Sequence, residues 1–114
     1  MAAPETDLAR IRRWVQGRNE RMGAAADQVR LEVETDPKRV TIVERRAPWS
    51  GSAGSAWTRS EIAGLRFTKA DGTWTLLWPD RNGRFHAHDE IEPTPRVEVL
   101  LAEIDDDPDG IFWG

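Results

Sequence analysis

The 114-residue sequence carries 16 basic and 20 acidic side chains, a net charge of −4, and is 39% hydrophobic with six Trp. A chain of this length fits one domain, residues 1–114, and can bury about two thirds of its unfolded surface, so its core needs no covalent staples. With no cysteine, disulfides, thiol chemistry and thiolate zinc sites are excluded, and no apolar run approaches membrane-spanning length, so a cytoplasmic protein with no membrane contact is expected.

Charge is unevenly placed. From Asp89 onward nine acids face a single Arg, a balance of −8, which leaves residues 1–88 at +4. Arginines outnumber lysines fourteen to two, and Glu32, Glu34 and Glu44 interleave with them.

A first helix is expected to begin near Pro4–Asp7, with Thr6 or Asp7 capping its amides. Leu8, Ile11 and Val15 form its core-facing stripe, with Trp14 beside them, while Arg10, Arg12, Arg13 and Arg18 face water. Met22-Gly23 is the expected end. Val29, Leu31 and Val33 alternate with charged residues as a half-buried strand, and Val40, Ile42 and Glu44 continue a second. A turn at Thr35–Lys38 that pairs residues 34 and 39 sets Leu31 opposite Ile42 and Val33 opposite Val40.

Residues 47–57 (APWSGSAGSAW) are rich in Gly, Ser and Ala between two Trp and are expected to form a flexible loop. Three further strands follow. Asp71-Gly72 and Asn82-Gly83 are turn dipeptides, and two-residue loops there set Phe67 opposite Leu76, Leu65 opposite Trp78, and Trp78 opposite Ala87. In that register Leu65, Phe67, Trp74, Leu76, Trp78, Phe85 and Ala87 share the buried face. Arg66, Thr68, Thr75, Leu77, Arg84, His86 and His88 share the other.

Thr94 is expected to cap a second helix, with Pro95 in its first turn and Val97, Leu100, Leu101 and Ile104 on one stripe. The acidic segment 105–114 reads as solvated charge ending in an apolar Ile111-Phe112-Trp113 that packs back on the domain.

The assembled pieces resemble an uncharacterised bacterial domain family common in actinobacteria. The residues that carry the resemblance are Ala9–Trp14 (ARIRRW), Thr41–Trp49 (TIVERRAPW), Leu65–Lys69 (LRFTK) and Gly72–Trp78 (GTWTLLW). It continues through Asp80-Arg81-Asn82, Arg84-Phe85-His86 and Ile111–Gly114 (IFWG). The resemblance implies no activity, cofactor or catalytic residue, and relatives commonly place an aromatic residue where this chain has His88.

The fold expected is α+β: an N-terminal helix, a five-stranded antiparallel meander sheet, and a C-terminal helix packing on one face. The core is read as Trp74, Trp78, Leu65, Phe67, Leu31, Ile42 and Phe85 with Val15, Leu100 and Ile104, and Trp78 is the ring whose loss is expected to unfold the domain.

Three functional readings follow. The first is a binding or regulatory module that uses the polar sheet face and the 47–57 loop for a protein partner or an anionic ligand. Its expected contacts are Arg45, Arg46, Arg66, Arg84 and His86, with Trp49 as anchor, because guanidinium groups match carboxylate and phosphate oxygens. The second is single-stranded nucleic-acid binding by the same face with Arg39 added, which requires aromatics for base stacking that this register buries instead. The third is a metal-dependent enzyme at His86 and His88, joined by Glu90 if the strand continues. No nucleophile elbow surrounds Ser50, Ser52, Ser55 or Ser60, and no phosphate-cradling glycine pattern precedes a helix. No catalytic residue and no cofactor are assigned. A monomer or weak homodimer is expected, since a sheet edge invites pairing.

Overall fold

Helix α1 (Glu5–Met22) opens the computed structural model, which describes residues 2–48 and 57–113. A 3₁₀ turn (Gly23–Asp27) leads into β1 (Val29–Thr35) and β2 (Val40–Arg46). Then come β3 (Thr58–Thr68), β4 (Thr73–Pro79), β5 (Phe85–Ala87) and α2 (Val97–Asp106). The strands form one antiparallel sheet in the order β1-β2-β3-β4-β5, the expected meander. Helix α1 packs on β1 and α2, and α2 contacts β4. The loop reading at 47–57, with Trp49, falls largely outside the described residues.

The helices lie on one side of the sheet, over a core of Ile11, Val15, Leu31, Val40, Ile42, Leu65, Trp74, Leu76, Val97, Leu100, Ile104 and Phe112. Trp78 and Phe67 are only partly buried at its margin. The fully buried ring is Trp74. Its indole Nε1–H donates to Asp7 Oδ2 at 2.9 Å, while Arg10 donates to Asp7 Oδ1 at 2.7 Å. Asp7, expected as a cap, is therefore a buried acceptor, and Pro4 holds the N-cap position through its carbonyl. Thr94 also departs from expectation. Arg96 is the N-cap of α2, and Thr94 exchanges two backbone hydrogen bonds with Trp74, at 2.7 and 3.0 Å.

All three hairpins differ in register from expectation, the first from a Thr35–Lys38 turn and the other two from two-residue loops, each for a local reason. Asp36 Oδ1 accepts from the amides of Lys38 (2.7 Å) and Arg39 (3.0 Å), which moves the first turn on and sets Val33 opposite Ile42 and Leu31 opposite Glu44. The Thr68 carbonyl accepts from Asp71 (3.2 Å) and Gly72 (2.8 Å), so residues 69–72 form the connection and Phe67 faces Trp74, Leu65 faces Leu76. Both are two-residue shifts, and side chains keep their faces.

The third shift is by one. Asp80 Oδ1 accepts from Asn82 (2.8 Å) and Arg84 (3.0 Å), and Gly83, at φ +80°, donates to the Asp80 carbonyl at 3.0 Å. A three-residue loop of this kind needs a left-handed residue at its end. Trp78 consequently faces His86 and Leu77 faces Ala87. A one-residue slip exchanges faces, so Phe85 and Ala87 lie on the helix-free side while His86 and His88 lie with the helices, the reverse of expectation.

The acids after α2 are not merely solvated. Asp105 accepts from Trp14 Nε1 (2.9 Å) and pairs with Arg18. Asp107, left-handed at φ 40°, takes the amides of Ile111, Phe112 and Trp113 at 2.9, 3.1 and 2.9 Å, folding that segment back so that Phe112 is buried. At the outer edge of the sheet, the Asn19 carboxamide donates to the Leu31 carbonyl (3.0 Å) and accepts from the Leu31 amide (2.8 Å).

Asp7→Ala strands the buried indole N–H of Trp74 and is expected to cost about 1–3 kcal/mol of unfolding free energy in urea. With Trp74→Phe already in place the same change costs less, and that non-additivity is the check. Trp74→Ala costs about 3–5 kcal/mol, more than Trp78→Ala.

Candidate functional site

The helix-free face begins at β1 with Arg30, Glu32 and Glu34, whose neighbours across the strands are Arg45 on β2 and Arg59 and Glu61 on β3. These six form a chain of ion pairs. Glu32 meets Arg30 at 3.1 Å and Arg45 at 3.2 Å, and Arg45 reaches Glu34 at 3.5 Å. Arg59 grips Glu34 with a two-pronged contact, Nη2 to Oε1 at 2.6 Å and Nε to Oε2 at 3.0 Å, and lies 3.6 Å from Glu61. The Arg59 hydrogen bonds hold the Glu34 carboxyl below its ordinary value, and Glu34 in turn raises Arg59. Val43 projects on this face, opposite Glu32 and Glu61, and is fully buried, although no helix covers it. The long paired side chains roof it with their methylene stems.

At the β5 end the chemistry changes. Phe85 lies against Gly64, where a Cβ would come within 3.0 Å of the ring and 3.2 Å of Leu77. The Arg39 guanidinium sits 4.4 Å over that ring. Arg39 precedes and Arg66 follows the Val40–Leu65 pair, which brings both to the same end of the β2–β3 ladder. Arg66 is exposed and has no ion pair among the described residues.

The residues singled out from the sequence do not make one patch. Arg45 and Arg66 are on the helix-free face, Arg45 already bound to Glu32 and Glu34. Arg46 alternates to the helix side and pairs with Glu44 at 2.8 Å. Arg84 is exposed, its amide bound to Asp80 and its alternation shared with His86. His86 Nε2 lies 2.7 Å from Asp80 Oδ2, and its ring centroid lies 4.7 Å from that of Trp78. His88 is buried, stacked 6.2 Å from Phe112, with Nδ1 accepting from the Glu90 amide at 3.3 Å. Among the described residues no three His, Asp or Glu side chains are grouped to hold a metal ion. Trp49 lies outside the described residues.

Arg59 and Phe85 are the participants that sequence reasoning left out. The signal for Phe85 was the length of the loop after Asp80, since one extra loop residue turns that side chain over. For Arg59 it lay on the far side of a bulge, where Ile42 faces Ala63 but Val43 faces Glu61, so strict alternation along β3 misplaces it.

A family model with the description Domain of unknown function (DUF3024) matches residues 2–114. The chain belongs to the DUF3024 family. That description carries no activity, substrate or cofactor. No curated protein and no solved structure matches the chain. No helix of this DUF3024 domain, among the described residues, is long and apolar enough to cross a membrane.

Three further carboxylates sit below their ordinary values: Asp36 through the Lys38 and then the Arg39 amide, Asp80 through the His86 hydrogen bond and then the Arg84 amide, and Glu98 through its own amide and then the Arg96 hydrogen bond. Carboxyls lowered on folding contribute stability above the ordinary carboxylate range and lose it as pH falls through their folded values. Stability of the domain is thus expected to drop on acidification through and below that range. Glu34→Gln flattens this acid limb in urea titrations run at stepped pH, and an unchanged slope would remove the Arg59–Glu34 contact from the account.

Proposed function

We propose that this domain is a binding module that receives an acidic segment of a protein partner on the helix-free face, at the β5 end, and that it is not an enzyme. The observation that carries the reading is that Arg39, one residue before the Val40–Leu65 pair, and Arg66, one residue after it, stand at the same end of this face. Like charges side by side on a sheet are unfavourable unless an anion lies between them, and Arg66 has no carboxylate among the described residues. The other arginines of this face are matched: Arg30, Arg45 and Arg59 each hold a glutamate. Phe85 supplies an apolar wall under Arg39, whose guanidinium lies 4.4 Å from its ring centroid.

Protein is favoured over single-stranded nucleic acid because stacking bases need open aromatic faces. On this side the described aromatic rings are Phe85, covered by Arg39, and Trp57, covered by Arg30, while Trp74 and Trp78 are on the helix side. Trp57, at the end of the 47–57 segment, is held under Arg30 at 4.5 Å, at the far end of the same face, where that segment is proposed as a second contact. A cytoplasmic setting belongs to it too, with support from the cysteine-free sequence.

Amide shift mapping tests the reading with hexaglutamate and, separately, a thymidine oligonucleotide. Hexaglutamate is expected to give saturable shifts centred on Arg39, Arg66, Thr75 and Phe85, weakened at least about tenfold by Arg66→Glu and by added salt. Localised shifts with the oligonucleotide that survive moderate salt, and none with the peptide, would replace this reading with the nucleic-acid one.

A further inference from the structure

On the opposite side of the sheet, we propose a second site: a pocket for a small apolar carboxylate, lying between the last turns of α1 and the outer strands and bounded by Trp113. The cavity is about 260 Å³. Met22, Val29 and Leu31 give it an apolar floor, Trp113 forms one wall, and Arg18, Arg21 and Glu44 stand at its polar side. Small-molecule sites combine just such apolar lining with a few placed polar groups.

The charges decide the ligand class. Arg18 is committed: it pairs with Asp105, and its guanidinium lies 4.2 Å from the Trp113 ring and 5.5 Å from Trp14. Glu44 is committed to Arg46 at 2.8 Å. Arg21 remains, exposed and without a carboxylate partner among the described residues. Its Nη1 lies 3.7 Å from where a Cβ at Gly17 would stand, so the side chain runs back along α1. The carbonyls of the last turn of α1 offset part of its charge, and the pocket as a whole stays cationic. A ligand that buries a ring or branched chain on Met22, Val29 and Leu31 and turns one carboxylate to Arg21, away from Glu44, satisfies every group present.

Trp113 is a fixed wall of the pocket. Its Nε1–H donates to the Ile104 carbonyl at 2.7 Å and its amide to Asp107 at 2.9 Å. The segment reaches this position through two left-handed residues, Asp107 (φ 40°) and Gly110 (φ 67°). The cavity volume is just under the range of about 300–1,000 Å³ that holds drug-sized ligands, so the occupant is small, of the size of a single substituted ring.

The test uses the whole chain, isotopically labelled, titrated with phenylacetate, with its neutral amide, and with acetate. Phenylacetate is expected to shift the Met22, Val29 and Leu31 amides and the Trp113 indole N–H saturably, the amide to bind at least about tenfold more weakly, and acetate to give no saturable shift. Arg21→Gln should erase the preference for phenylacetate over the amide, and Trp113→Ala the binding itself. Arg21 is exposed, so Arg21→Gln decides the matter even if Trp113→Ala loosens the C-terminal segment. Arg66→Glu, on the other face, should leave phenylacetate binding unchanged, which separates this site from the acidic-segment surface. Equal binding of acid and amide, an undiminished preference in Arg21→Gln, or no saturable shift overturns the proposal.

Discussion

The buried contact between Asp7 and Trp74 joins residues 67 positions apart, and the rest of the architecture hangs on the indole ring it fixes. The side chain of Trp74 binds the first turn of α1 through Asp7. Its ring leans on Phe67 across the β3–β4 pair, with centroids 5.2 Å apart and planes at 56°. Its backbone exchanges hydrogen bonds with Thr94, two residues before the N-cap of α2. One residue thus fixes where the first helix begins, how the central strands pack, and where the second helix starts. A buried indole N–H without an acceptor is costly, which is why a carboxylate, itself engaged by Arg10, is tolerated beneath the helix.

Element types were legible from the sequence because apolar spacing reports burial directly: the stripe Val97, Leu100, Leu101 and Ile104 is buried throughout. Registers were not, because they are set by which polar atom closes each turn. The dipeptides Asp71-Gly72 and Asn82-Gly83 do mark turns, yet the Thr68 carbonyl and the Asp80 carboxylate decide the loop lengths. An even error is silent in the face pattern, whereas the odd one after Asp80 exchanged Phe85 for His86. The aspartates behind α2 were illegible for a related reason. An acid at a helix C-terminus opposes the dipole, and only the chain folding back shows that Asp107 is recruited by three amides.

The same exchange rearranged the candidate site. Arginine density suggested one basic face, but Glu32 and Glu34, two residues apart on β1, neutralise the arginines of the neighbouring strands, and Val43 beside them is buried. At the two proposed sites the charge that remains for a ligand comes down to single side chains, Arg66 beside a turn and Arg21 on the last turn of α1. Counting arginines locates neither. Counting the carboxylates within reach of each does.

Asn19 has a consequence for how the molecule comes apart. Its carboxamide satisfies the outward amide and carbonyl of Leu31, standing in for the strand that the outer edge of β1 lacks. A strand from another chain gains nothing at that position until Asn19 leaves, since it only replaces two hydrogen bonds with two others. Asn19 is also one of the ties between α1 and the sheet. Lifting the helix and uncovering the pairing edge are consequently a single event, so local unfolding of α1 is the step that admits strand-exchange aggregation, and the stability of α1 sets its threshold.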